Sequence, residues 1–350
     1  MGIKTGSPPH FGLVGAGKLI CEFIRLLIEN GFPKPIVFTH KKILHTRDQI
    51  LLGGTKNYQN IFKFCSDNNI KLIELDDIND SRSVKLLKSK NLNYLVSISA
   101  RWIIGEKLIH HFKSRLINIH HGDLPSERGS TTASHRIMNG KNKVGVSMHI
   151  VEKGIDSGPV LYKATARIKK KRPTQNDMND IHMKLSLKII SNFIGDIKSG
   201  KSAKPIVQKQ DDAFYLPQLY TELNGAINWH WSADQIDKFV RAFGSPFPGA
   251  FTFYGEKKIN ILAGYPAETE YDLHPFYIGR VVGKDASGGV KVVTMLGLFV
   301  ITEARFDNQN FSLEKIKVSR VLHTPTSVLE RARVETRRSL EMDIPNKKNN

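Results

Sequence analysis

Cysteine is nearly absent: Cys21 and Cys65 are the only two in 350 residues. Two thiols exclude a disulfide framework and a four-cysteine zinc site. Long apolar runs are missing too. No stretch approaches the roughly 18 uninterrupted apolar residues of a membrane helix. The run over residues 19–28 is broken by Glu22 and Arg25. The first residues are polar with no apolar signal core, so the cytoplasm is the expected location. Acidic residues are scarce beside basic ones, 33 against 52, a net charge of +19. That excess favours RNA, phosphates or nucleotide-linked substrates, although a lysine-rich surface would give the same number without a partner. What remains is 40% hydrophobic and 24% charged, enough to bury a core and to exclude wholesale disorder. The length suits two domains.

Residues 11–15, 35–39, 70–75, 94–100 and 116–120 read as buried strands, with helical patterns over 18–30, 58–68 and 81–90. This rhythm predicts an α/β fold: a Rossmann-like, mostly parallel sheet with helices on both faces. Two more strands follow at 144–151 and 160–168. Lys169-Lys170-Lys171-Arg172 then precedes Thr174 and Asp177, the start of a capped helix running to about residue 197. Residues 161–210 hold 12 Lys and Arg against 3 Asp and Glu. That surplus reads as a solvated helix face or as a collar near an anionic ligand. Residues 199–204 look like a linker. A helix at 233–243 leads into short strands at 250–254, 258–263, 278–283, 290–294 and 298–304, the pattern of a small OB-like β-barrel. The expected division is 1–205, 206–322 and a polar tail 323–350, with a short helix at 327–340.

Three places carry chemistry. Gly15-Ala16-Gly17 follows the first strand and opens a helix. The third fingerprint position is Ile20, and the second strand ends Phe38-Thr39-His40 without an acid, so a nicotinamide dinucleotide is not expected. Asn118-Ile119-His120 ends another strand; period two puts the amide and the imidazole on one face, at the carboxyl end where open sheets place ligands. Asp156 stands in Gly154-Ile155-Asp156-Ser157-Gly158, a tight loop between two strands. Amide, imidazole and carboxylate together suit acyl transfer to an amine: one stabilises an oxyanion, one moves a proton, one orients the imidazole and raises its pKa. No metal is expected. His110, His111, His120, His121, His135 and His149 are near in sequence, but adjacent histidines on a strand face opposite ways.

Asn-x-His, Leu124-Pro125-x-x-x-Gly129 and Gly-Ile-Asp-Ser-Gly, in this order and spacing, resemble the 10-formyltetrahydrofolate-dependent formyltransferases. The resemblance covers about residues 11–200 and continues in Gly225–Trp229 and Arg241–Ala250, which resemble the C-terminal barrel of two-domain members. It implies that residues 1–205 are catalytic, with Asn118, His120 and Asp156 as the catalytic residues. It also implies 10-formyltetrahydrofolate as formyl donor, held by Ser99, Arg101, Trp102, Ile103, Ile104, Val151, Gly154 and Ile155. The acceptor would meet Gly15, Gly17, His40, Leu124, Pro125 and Gly129.

The acceptor is read from the departures. His121-Gly122-Asp123 precedes Leu-Pro, and polar Ser130 to His135 replaces an apolar stretch of the tRNA enzymes. Phe38-Thr39-His40 is similar to sugar enzymes, and Lys41 to Arg47 lacks the Arg- and Gly-rich insertion of tRNA enzymes. A nucleotide-linked amino sugar is therefore the expected acceptor. The alternative is methionyl-tRNA, favoured by net charge, barrel and basic run. A binding module with a decayed site is a third reading; the three filled catalytic positions speak against it. No membrane partner is expected, and a homodimer is compatible with the sequence.

Overall fold

The computed structural model describes residues 8–56, 58–270, 273–306 and 309–335. The first half alternates β1 (Phe11–Gly15), α1 (Lys18–Glu29), β2 (Ile36–His40), α2 (Thr46–Leu52), α3 (Ile61–Asp67), β3 (Lys71–Leu75), α4 (Ser81–Lys88), β4 (Tyr94–Ile98), α5 (Glu106–Phe112) and β5 (Leu116–His120). Then come β6 (Arg128–Gly129), α6 (Thr132–Met138), β7 (Lys143–Ile150), β8 (Val160–Arg167) and α7 (Gln175–Lys198). One sheet has the order β3-β2-β1-β4-β5-β7-β8. Its first five strands in sequence run parallel, whereas β7 is antiparallel to both β5 and β8. The two added strands thus turn by a tight loop rather than a crossover helix, which is what permits antiparallel pairing.

Strand order reverses between β1 and β4, the place where doubly wound sheets open a crevice. Gly15 makes the approach there possible. Its φ is +131°, and a Cβ would lie 1.8 Å from the Ile98 carbonyl oxygen. Helices cover both faces. Leu19, Ile20, Phe23, Ile24 and Leu27 of α1 join Ile189, Ile190 and Phe193 of α7 on one face; Val84, Leu87, Leu108 and Phe112 of α4 and α5 lie on the other. Helix starts follow local chemistry. The predicted helix at 58 begins only at Ile61, because the Asn60 side chain accepts from the Phe62 and Lys63 amides and caps it there. Thr174 and Asp177 form the capping box expected of α7.

Past α7 the chain continues through β9 (Tyr215–Leu216), α8 (Thr221–Asn224), α9 (Ala233–Ala242), β10 (Ala250–Tyr254), β11 (Lys257–Ala267), β12 (Val281–Lys284), β13 (Val290–Val293), β14 (Leu298–Phe306), β15 (Gln309–Asn310), β16 (Leu322–His323) and α10 (Thr326–Val334). β9 pairs with β6, and the strands from β10 on form an antiparallel sheet ordered β12-β13-β14-β11-β10-β16, with β15 on β14. It curls until its edges meet: Val281 N donates to Arg320 O and Leu322 N to Gly279 O, both at 2.8 Å. The expected C-terminal helix ends at Val334, and its predicted continuation from 336 lies outside the described residues. Among the described residues no helix is long and apolar enough to cross a membrane.

Candidate active site

β5 sits between parallel β4 and antiparallel β7, so its carboxyl end faces the crevice with a neighbour on each side. Asn118 pairs with Ser97 on β4 and with His149 on β7. Residues directly opposite in an antiparallel pair share a face. His149 therefore joins Asn118 and His120 on one side of the sheet. Asp156 comes from the loop between β7 and β8, at φ 49°. It accepts from the Gly129 amide at 2.8 Å through Oδ2, the oxygen that stands 3.5 Å from His120 Nδ1.

Asn118 Nδ2 lies 3.3 Å from Asp156 Oδ1 and 3.2 Å from His149 Nε2, and those two acceptors are 3.2 Å apart. The triangle is nearly equilateral, so the acceptors subtend about 60° at Nδ2, whereas the two amide N–H bonds diverge by about 120°. An N–H directed between the two acceptors leaves the other to serve a ligand.

The tautomers are fixed by carbonyls. His120 Nε2 meets Glu127 O at 2.5 Å, and His149 Nδ1 meets Ile150 O at 2.8 Å. A carbonyl cannot donate, so both of those ring nitrogens carry hydrogen, and His120 Nδ1 is left to take a proton. Burial pushes the His120 pKa below 6.5 although the Asp156 charge works to raise it. This corrects the expectation of a raised imidazole: desolvation at 7% exposure outweighs the carboxylate. For Asp156 the balance is opposite. Burial raises it, but the two neighbouring histidine rings and the Gly129 amide hold it at about 2.

Behind His120 lies a polar core. Glu127 is paired with buried Arg136 and accepts the Asp123 amide at 2.8 Å. His121 and His182 stack with centroids 4.7 Å apart, and Ser186 Oγ lies 3.2 Å from His121 Nε2. Burial pushes His121 down to about 4 and His182 well below its ordinary value.

A cleft of about 420 Å³ opens at the crevice, lined among others by Gly17, Ser99, Arg101, His121, Ser130 and Gln218. Gly17, Ser99 and Arg101 are thus brought together as expected residues on one cleft. Ser99 is at φ 52°, and Arg101 donates to Asp48 at 2.7 Å. Trp102 and Ile104 are each 8% exposed and face the second core, against which Val151 packs. Ile103 and Ile155 are instead exposed, and Gly154 lies on the same exposed loop. Lys153 pairs with Glu106 at 2.8 Å, tying that loop to the start of α5. The loop after β4 and the loop before Asp156 therefore flank one another.

Two expected acceptor contacts have buried side chains. Leu124 is 2% exposed and lies in the core. His40 is 1% exposed; its ring centroid is 3.5 Å from that of Trp102, and neither ring nitrogen has a partner. Burial and the Arg101 charge hold it down at about 3. Pro125 is half-buried and its carbonyl accepts from Phe214 N at 3.3 Å. Gly129, at φ 96°, lets β6 approach β9: a Cβ there would lie 2.2 Å from Leu216 O. Sequence reasoning missed His149, which it weighed only as a metal ligand, and Glu127. The signal for both is register and backbone contact, which no spacing displays. Among the described residues no group of three His, Cys, Asp or Glu could hold a metal ion.

Residues 49–194 match the model of the formyl transferase family, and residues 221–315 match that of the formyl transferase C-terminal domain. Similar sequences include the methionyl-tRNA formyltransferase of Caldanaerobacter subterraneus subsp. tengcongensis, 25% identical over 71% of this chain and 78% of the relative. That of Rickettsia massiliae is 30% identical over 57% of this chain and 63% of its own. Among solved structures, the sugar 3N-formyltransferase WlaRD, with dTDP and 5-N-formyl-THF, superposes with TM-score 0.61 at 21% identity, over 87% of this chain and all of its own. The N-formyltransferase of Helicobacter canadensis, with folinic acid and dTDP-3-aminofucose, gives 0.62 at 17% identity, over 86% and 99%. The structural likenesses speak for the fold and the two family models for descent. With both models matched in order over more than half its length, the chain belongs to the formyl transferase family and is an enzyme that transfers formyl groups.

Proposed function

We propose that the enzyme moves a formyl group from 10-formyltetrahydrofolate to the primary amine of a nucleotide-linked amino sugar. The observation that carries the acceptor is the cleft. Ser130, Asn179 and Gln218 offer polar groups suited to sugar hydroxyls, and Lys18 and Arg47 offer cations suited to a diphosphate. Its volume of about 420 Å³ is that of a small-molecule site. The chemistry of the donor region fits as well. Ile103 and Ile155, 66% and 43% exposed, present apolar surface on the two flanking loops, as a flat heterocycle requires.

When bound, the donor supplies an activated formyl carbon. Asn118 offers its remaining N–H to the oxygen on which charge develops. His120 Nδ1 takes a proton from the amine as it bonds to the formyl carbon and returns it to the nitrogen whose bond to that carbon breaks, and Asp156 stabilises the imidazolium between the two steps. Ser99, Arg101, Val151 and Gly154 would hold the donor, and Gly15, Gly17 and Gly129 keep backbone close to the acceptor.

Methionyl-tRNA is the second reading, favoured by the sequence relatives and the charge of +19. The test is formylation with 10-formyltetrahydrofolate across a panel of 3-amino and 4-amino dideoxy sugar nucleotides and charged initiator tRNA. Turnover of one sugar nucleotide is expected. Turnover of the tRNA alone would replace the first reading by the second.

A further inference from the structure

Asp156 is held from outside its own loop. Its φ of 49° is a left-handed conformation that non-glycine residues rarely adopt. Gln208 lies beyond α7 and the linker and is 7% exposed. Its Nε2 donates to the Asp156 carbonyl at 2.8 Å and to the Gly158 carbonyl at 2.7 Å. Its Oε1 accepts from Arg128 Nε at 3.1 Å and Nη2 at 3.0 Å, while Arg128 Nη1 donates to Gln210 Oε1 at 3.0 Å. Carbonyls only accept and a guanidinium only donates, so this amide has one allowed orientation. Ile206, two residues earlier, exchanges backbone bonds of 2.8 and 2.9 Å with Val160, which sets the register of the segment. Arg128 adjoins Gly129, whose amide holds the Asp156 carboxylate. Backbone and side chain of Asp156 are thereby tied to one Gln208–Arg128 unit.

We propose that Gln208 is a positioning residue for formyl transfer: it holds the left-handed turn at Asp156 so that the carboxylate stands opposite the His120 and His149 rings. The inference rests on the formyl-transfer reading of this site. It extends that site beyond the strand ends to the segment that leads into the barrel.

The test uses the full chain with Gln208→Ala and Gln208→Glu. The second keeps the shape and the acceptor for Arg128 but has no N–H for the two carbonyls. Both variants are expected to lower kcat about a hundredfold, the scale of a displaced reacting group, with KM for the acceptor nearly unchanged. Added to Asp156→Asn, Gln208→Ala should change kcat little further, because what it positions is already lost. A substrate-free readout is the His120 ring titration in histidine-labelled protein, assigned by its loss in His120→Asn. The charged or titratable groups around that ring are Asp156, His149, Glu127, His121 and His182; of these only Asp156 is bonded to Gln208, and Gln208→Glu keeps the acceptor for Arg128. The His120 midpoint should fall in Gln208→Ala, which adds no charge of its own. Unchanged kcat and midpoint would overturn the role, as would losses that simply add to those of Asp156→Asn. A shifted midpoint in a protein that formylates no amine would leave the positioning standing and remove the formyl-transfer reading instead.

Discussion

His120 is the residue whose environment reverses a sequence-based expectation. An imidazole beside a carboxylate gains proton affinity, but here burial prevails and its pKa lies below 6.5. The proposed base is therefore neutral at pH 7, with Nδ1 free to accept. The acid limb of kcat/KM that reports it should lie below pH 6.5 and vanish in His120→Asn. A limb above pH 7, or one that persists in that variant, would assign the titration to another group. His120→Ala should lower kcat by about a thousandfold and Asn118→Ala by about a hundredfold, in proportion to a lost proton acceptor and a lost oxyanion donor. Near-normal turnover in either would remove that residue from the chemistry. The meeting of Asn118, His120 and Asp156 was legible because two short motifs carry them, one at a strand end and one in a tight loop. His149 was not, because it reaches the site through its pairing across β5 and β7. His40 and Leu124 read as acceptor contacts by position alone, and position does not reveal which side of a strand end is sealed.

At the scale of elements, the basic run before α7 divides into two kinds of residue. Lys169, Lys170 and Lys171 are exposed, and Lys170 reaches only Asp177 at 2.9 Å. Arg172 instead pairs with Asp237 of α9 and donates to the Gly264 carbonyl of β11 at 2.6 Å. Arg241 meets the same carboxylate at 2.8 Å and donates to the Pro173 carbonyl at 2.7 Å. Asp237, 2% exposed, thus joins the start of α7 to the helix that carries the barrel. Neither the solvated face nor the anion collar describes Arg172. Its partner lies 65 residues on and is invisible to a local charge count. Asp237→Ala leaves two guanidinium groups facing each other and should cost about 3 kcal/mol of stability in urea unfolding. Lys169→Gln with Lys171→Gln should stay within about 0.5 kcal/mol. A mild Asp237→Ala would show the junction to be held by apolar packing alone. Local signals did place most strands and the capping box of α7. What they could not give was the antiparallel sense of β7 and β8, a property of the connection, or the late start of α3, set by one asparagine.

The whole molecule carries its positive charge together with imidazoles that burial keeps neutral. Burial pushes His40 to about 3, His121 to about 4, and His120 and His182 below 6.5. The unfolded chain takes up these protons near pH 6.5, whereas the fold resists until the lowered values. Their stability contribution is therefore complete above pH 6.5 and is lost as pH falls toward 3. Tm should decline across that window, and His40→Leu, which removes two unpartnered ring nitrogens, should hold Tm near pH 7 and make the decline shallower. An equally steep decline would place the lost protons elsewhere.

The net charge of +19 also separates the two acceptors at this scale. A tRNA meets many phosphates, and each contact releases a counterion, so log affinity against log salt falls with a slope of several units. A nucleotide sugar offers one diphosphate to the cations of the cleft, and its slope should be only about one or two. The surface lysines at 169–171 are not among the residues lining that cleft. Replacing them by Gln should leave turnover of a sugar nucleotide within a few-fold and its salt slope unchanged. Arg172 is kept, because its loss would disturb the α7–α9 junction. A steep slope for methionyl-tRNA that flattens in the triple variant would instead make those lysines part of a phosphate-backbone track.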